Sequence, residues 1–253
     1  SATLPRLMSR VRIPFPAPVR LFPYPIKDVS FMNNFQAVIF DMDGTLIDSM
    51  QVWRNVDQVF LQSRLLEVPT DLFEHLPAGN SFIQTAQYFK DRFGLPESPE
   101  SIMQEWTEMV GNLYATTIEL KPGARELLLQ LQENNIKIGL GTSNSLELAK
   151  KVLLRNSVWH LFQCAVTGDL NLRGKPYPDI YSLAAERLQE KPENCLVIED
   201  TLTGVQAGKA AGMTVFAIYD EDSREHHSHI QKLADGFYLD FKSLTNDLFR
   251  TWK

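Results

Sequence analysis

The chain has 253 residues, 44% of them hydrophobic and 22% charged, with 25 basic against 31 acidic side chains and a formal net charge of −6. That length suits one large domain or two smaller ones around a real core, and the acidic balance excludes a general nucleic-acid binder and a protein held to anionic lipid by charge. The apolar residues nowhere run long enough for a transmembrane helix, and two cysteines, Cys164 and Cys195, can build neither a disulfide scaffold nor a four-cysteine zinc site.

Residues 1–31 hold six of the fourteen prolines and five basic side chains against one acidic. Prolines at that density forbid a regular helix or a central strand, so this stretch is expected to be a loosely held N-terminal extension. FQAVIF (35–40) is a short apolar run with Val and Ile, expected as a buried strand that ends in Asp41-Met42-Asp43-Gly44-Thr45. Residues 52–118 show helical periodicity, with Val52, Val56, Val59 and Phe60 on one face and Phe82, Ala86 and Phe89 on another. From there strands and helices alternate: helix 124–134, strand 136–141, helix 145–155, strand 163–167, helix 178–189, strand 195–199, helix 205–211 and strand 214–219. DGFYLDFKSL reads as a last strand or turn with a docking helix. This alternation implies βαβ units and a parallel sheet covered on both faces. The fold class expected is α/β: a Rossmann-like parallel sheet core (32–50 and 119–253) with an inserted all-helical cap domain (51–118).

In an open α/β sheet, ligands bind beyond the carboxyl ends of the strands. Four strand ends deliver Asp41 and Asp43, Thr142-Ser143-Asn144-Ser145, Arg173-Gly174-Lys175-Pro176, and Glu199-Asp200-Thr201. Carboxylates this close repel one another, which raises a pKa or demands a cation. Hard oxygen donors without His or Cys select Mg²⁺ over zinc. Such a cleft, with a lysine and hydroxyls beside it, is built to neutralise a phosphoryl group. Of the two aspartates at spacing two, one can attack phosphorus to form an aspartyl-phosphate and the other can move protons. Gly44 lets the backbone turn close to the ligand.

DMDGTLIDS, the TSN after the second strand, GKPYPDIY and IEDTLTGVQAGKAAGM together resemble the four motifs of the haloacid dehalogenase-like hydrolase superfamily, in its β-phosphoglucomutase-like phosphatase branch with a helical cap. The resemblance covers about 35–240. It implies a phosphoric monoester hydrolase in which Asp41 is the nucleophile and Asp43 the general acid and base. Thr142, Ser143 and Asn144 would hold phosphoryl oxygens, with Gly44 beside them. Lys175 would pair with Asp41 and the phosphate, and Mg²⁺ would be bound by Asp41, the Asp43 carbonyl, Asp200 and, directly or through water, Glu199.

Two departures bear on the substrate. Sugar-phosphate mutases of this branch carry a histidine where Trp53 stands and a cap arginine where Phe82 follows Ala78-Gly79-Asn80-Ser81. A mutase needs a cation to grip the second phosphate of its intermediate, so hydrolysis is favoured, with Lys90 as the one candidate substitute. Trp53 and Phe82 either pack between cap helices or offer flat apolar surface to the substrate. Asp48-Ser49 fits the N-cap of the next helix or a cap hinge, and Thr142–Ser145 can cap a helix while binding phosphate. His226, His227 and His229 read as a solvated polar face rather than a metal site. Both cysteines sit among apolar neighbours and read as buried reduced thiols, so a cytoplasmic setting follows. The expected partner is a small phosphorylated metabolite, with no nucleic acid and no membrane, acted on by a monomer or weak homodimer.

Overall fold

The computed structural model describes residues 35–72, 81–170 and 172–250. The expected N-terminal extension and Ala78-Gly79-Asn80 lie outside the described residues. Six strands form one parallel sheet: β1 (Ala37–Phe40), β2 (Lys137–Gly141), β3 (Cys164–Val166), β4 (Cys195–Glu199), β5 (Thr214–Ile218) and β6 (Gly236–Tyr238), in the order β3-β2-β1-β4-β5-β6. β1 is central because nothing in AVIF is polar, and all four residues are buried. Its register is even on both sides, with Phe40 opposite Leu140 and Ile198.

Alternate side chains of the strands feed two cores. Val38, Phe40, Ile138, Leu140, Leu196 and Ile198 pack under α4 (Ala124–Glu133), α5 (Leu146–Arg155) and α9 (Phe241–Arg250). Ala37, Ile39, Val197, Val215 and Ala217 pack under α6 (Asp179–Leu188), α7 (Leu202–Ala210) and α8 (His227–Leu233). Burial of each such aliphatic or aromatic side chain contributes roughly 1.5–3 kcal/mol. Every expected strand is present: β4 has the expected bounds, and β1, β2, β3 and β5 are trimmed by one or two residues where hydrogen-bonded pairing stops.

Between β1 and α4 come three helices and no strand among the described residues: α1 (Met50–Ser63), α2 (Phe82–Phe93) and α3 (Pro99–Thr116). Local sequence sets their limits. Gln84 Oε1 accepts the Ser81 N–H at 2.9 Å, Gly94 closes α2 at φ 62°, and Ser98 caps α3 with Pro99 in its first turn. Trp106 gathers Phe89, Phe60 and Phe82 around it at ring distances of 5.0, 5.5 and 5.7 Å. This aromatic cluster is continuous with the sheet's α4/α5 core, because α3 packs against α5. Val59 departs from the expected apolar face and is 54% exposed. The buried stripe of α1 runs through Val56, Phe60 and Leu61, and at 100° per residue Val59 lies beyond its edge.

Candidate active site

The loop after β1 is held by backbone bonds from Gly44 N to Ile47 O and from Ile47 N to Met42 O, both 3.0 Å. Gly44 has φ +80°, and a Cβ there would sit 2.5 Å from Asp200 Oδ2, so the turn admits only glycine. Lys121, just ahead of α4, donates its ammonium to the Gly44 carbonyl and to Asp220 Oδ2 at 2.6 Å. Gly204, in the first turn of α7, likewise leaves the space that the Glu199 carboxylate occupies.

The parallel register places the ends of β1, β2 and β4 side by side. Asp41 is 6% exposed, Lys175 4% and Asp200 2%, while Glu199 is wholly buried. Lys175 Nζ donates to Asp41 Oδ1 and to Glu199 Oε1, each at 2.5 Å. Glu199 Oε1 also accepts the Tyr181 hydroxyl at 2.8 Å. Its Oε2 accepts the Asp200 N–H (2.8 Å), the Thr201 N–H and the Thr201 hydroxyl (both 3.0 Å). The two Asp200 oxygens accept the Thr45 and Ser223 hydroxyls at 2.7 and 3.3 Å. Carboxylate oxygens of Asp41, Glu199 and Asp200 lie within 4.8 Å of one another.

Three buried acids share one ammonium, and the electrostatics register the imbalance. Burial, opposed by Lys175 and reinforced by the Glu199 charge, pushes the Asp41 carboxyl up to about 7. Burial and the Glu199 and Asp41 charges hold Asp200 well above the usual carboxylate range. Burial also works against the charged form of Glu199, but Lys175 and the Thr201 N–H outweigh it and hold Glu199 low. Burial alone would depress Lys175; the Asp41 and Glu199 charges hold its ammonium above the ordinary lysine value. A hard-oxygen pocket with excess negative charge fits a divalent cation such as Mg²⁺.

Asp43 looks the other way, toward the helices. Ser49 Oγ donates to its Oδ1 at 2.6 Å, and Asn144 Nδ2 donates to its Oδ2 at 3.0 Å. The Tyr114 hydroxyl also donates to Oδ1, and Trp53 Nε1 stands 3.4 Å from the same oxygen. Ser49 occupies the N-cap position of α1 but makes no side-chain capping bond; its hydroxyl is turned to Asp43. Thr142 Oγ1 accepts the Asn144 N–H at 3.1 Å, and Ser145 caps α5 by accepting the Leu148 N–H. The Ser143 carbonyl accepts the Phe82 N–H at 3.0 Å, tying the start of α2 to the β2 loop. That approach passes Gly168, where a side chain would collide with Ser143.

Trp53 and Phe82 stack edge to face at 5.8 Å, Trp53 half-buried and Phe82 buried. Tyr114 and Lys121 carry no motif and escape a reading of the sequence, and Tyr181, although it closes the GKPYPDIY segment, is given no role there. The histidine run departs from expectation at His227, which is half-buried, packs on the Tyr219 ring at 4.7 Å and hydrogen-bonds the Asp220 carbonyl. His226 and His229 are exposed. Cys195 is buried, but Cys164 is half-buried because β3 is an edge strand; both thiols are free. No helix among the described residues is long and apolar enough to cross a membrane.

The family model of haloacid dehalogenase-like hydrolases matches residues 35–212. A Drosophila melanogaster protein named "Probable pseudouridine-5'-phosphatase" is 30% identical over 81% of this chain and 90% of its own. The Beta-phosphoglucomutase of Bacillus subtilis is 30% identical over 70% of this chain and 80% of its own. Among solved structures, CbbY from Rhodobacter sphaeroides in complex with phosphate superposes with a TM-score of 0.72 at 24% identity, over 83% of this chain and 96% of that one. With that family model matched over residues 35–212 and Asp41, Lys175, Glu199 and Asp200 buried together at the strand ends of a parallel sheet, the chain belongs to the haloacid dehalogenase-like hydrolases.

Proposed function

We propose that this hydrolase is a Mg²⁺-dependent phosphatase of a small, singly phosphorylated metabolite, working through an aspartyl-phosphate on Asp41. The observation that carries the reading is the buried Lys175 bridging Asp41 and Glu199 beside Asp200. Lys175 fixes Asp41 Oδ1 and leaves Oδ2 as the attacking oxygen. Attack on phosphorus forms the Asp41 O–P bond as the ester oxygen departs with a proton from Asp43. Water, giving its proton back to Asp43, then cleaves the acyl phosphate. Thr142, Ser143 and Asn144 lie at the N-terminal end of α5, where backbone N–H groups favour an anion. Asp41, Asp200 and the Asp43 carbonyl would hold the cation, with Glu199 reaching it through water because its own oxygens already accept five donors. The bound ion supplies charge neutralisation for the phosphoryl oxygens. We read α1–α3 as the cap over this site, with Trp53 and Phe82 shaping the side that faces the leaving group.

Hydrolysis is favoured over mutase action by where the basic side chains of 51–118 go. There are four of them. Arg54 pairs with Asp222, Arg64 with Glu97 and Glu105, and Arg92 with Asp71. Lys90 donates to the Leu95 and Glu97 carbonyls at 3.1 and 2.6 Å, closing the end of α2. Each is committed away from Asp43, so none grips a second phosphate. A phosphate-release screen over sugar, polyol and nucleoside monophosphates tests the reading. Release that needs Mg²⁺, stops with EDTA and gains nothing from a bisphosphate activator is expected. Isomer formation without inorganic phosphate would replace it with the mutase.

A further inference from the structure

We propose that Tyr114 is a positioning residue for proton transfer by Asp43, brought to the site by α3; this rests on the phosphatase reading above. Tyr114 lies near the C-terminal end of α3 and is fully buried. Its phenol has one proton to give. Trp53 Nε1 stands 2.8 Å from the phenol oxygen and Asn144 Nδ2 stands 3.3 Å from it. Both are donors only, so they take the oxygen's lone pairs. The phenol proton goes to Asp43 Oδ1, the same oxygen to which the neighbouring Ser49 hydroxyl gives its own proton. The direction of the bond is thereby fixed by its neighbours.

With Ser49 on Oδ1 and Asn144 on Oδ2, the Asp43 carboxyl is held at both oxygens. Ser49 and Asn144 sit in the loops that follow β1 and β2. Tyr114 and Trp53 come from the helices, so two of the four N–H or O–H groups around Asp43 arrive only when those helices are docked.

The consequence is selective. An alkyl leaving oxygen must take a proton from Asp43 as its P–O bond breaks, whereas 4-nitrophenolate leaves without one. Misorientation of Asp43 therefore harms the first kind of substrate and largely spares the second. The test compares kcat/KM of Tyr114→Phe for 4-nitrophenyl phosphate and for the alkyl phosphate that the wild type turns over fastest, both with Mg²⁺. kcat/KM reports events up to the first P–O cleavage, and a misfolded fraction lowers both values equally. The ratio of the two is expected to shift against the alkyl phosphate by roughly 10- to 100-fold, a part of the roughly 10²- to 10⁴-fold that a general acid contributes in full. Trp53→Phe, which removes the indole N–H that orients the phenol, is expected to shift the ratio the same way by less, and carries the test should Tyr114→Phe fail to fold. An unchanged ratio, with or without a loss of activity, makes Tyr114 a packing residue and overturns the proposal. A wild type silent toward every phosphate ester removes the phosphatase reading, and this proposal with it.

Discussion

The two walls of the site are made of different matter. The sheet wall is charged: Asp41, Lys175, Glu199 and Asp200 sit at strand ends, almost wholly buried and bonded to one another. The helical wall is aromatic and neutral: Trp53, Phe82 and Tyr114 stack on one another and meet the charged wall through hydrogen bonds to Asp43 and Ser143. Buried charge is costly and survives only with fixed partners, so the sheet wall is rigid chemistry. An aromatic cluster offers area and shape but little direction, which suits the leaving-group role proposed for it above.

This contrast can be broken at several levels. The largest effect is expected at Asp41. Asp41→Asn keeps the volume and removes the carboxylate proposed to attack, and phosphate release should fall by about six orders of magnitude, the cost of deleting a serine hydrolase's nucleophile. Turnover within tenfold of wild type would take the chemistry away from the sheet wall. Next comes the aromatic wall. Phe89→Ala empties the centre of the cluster around Trp106, and a chemical denaturation curve should show a loss of about 3–5 kcal/mol. A loss below about 1 kcal/mol would mean that these helices do not share the core's packing.

The smallest effect concerns the cost of the charge. With its carboxyl moved from 3.8 up to about 7, Asp41 binds a proton more tightly folded than unfolded. In chelator, its contribution to stability is therefore full below pH 4 and lost as pH rises toward 7. Asp200→Asn removes one of the repelling carboxylates. The metal-free variant at pH 7.5 should melt a few degrees above wild type, in line with about 1–2 kcal/mol in a chain of this size. Wild type should regain the difference when Mg²⁺ is added, and the variant should not. A variant that melts lower without metal would show that Asp200 is stabilising in its own right.

The same contrast explains what the sequence makes legible. Strand ends are local: an apolar run followed by DMDGT or IED announces both the strand and the acids it carries. The alternation of those runs with helices announces the parallel sheet, and the family resemblance pairs Lys175 with Asp41, but the order of the six strands and the Lys175–Glu199 contact emerge only in the structure. The helical wall is assembled from distance. Tyr114 in GNLYATT has the periodicity of any core residue, and nothing near it in the chain points to Asp43, 71 positions earlier. Ser49 reads as a helix cap because the residue after a loop and before an apolar stripe usually is one. That it serves Asp43 instead depends on how the loop closes. Tyr181, which completes the Glu199 shell, reads as an ordinary apolar position on α6 for the same reason.

β1 has a parallel neighbour on each side and helices over both faces, so its amides can exchange with solvent only when the whole fold opens. Asp41 is the next residue along. On the proposed mechanism the attacking oxygen is thus mounted at the end of the sheet's central strand, and its positional error is that of the sheet's centre rather than of a surface loop. Thermal motion of the surrounding helices and loops can then vary what reaches the proposed nucleophile without blurring where it stands.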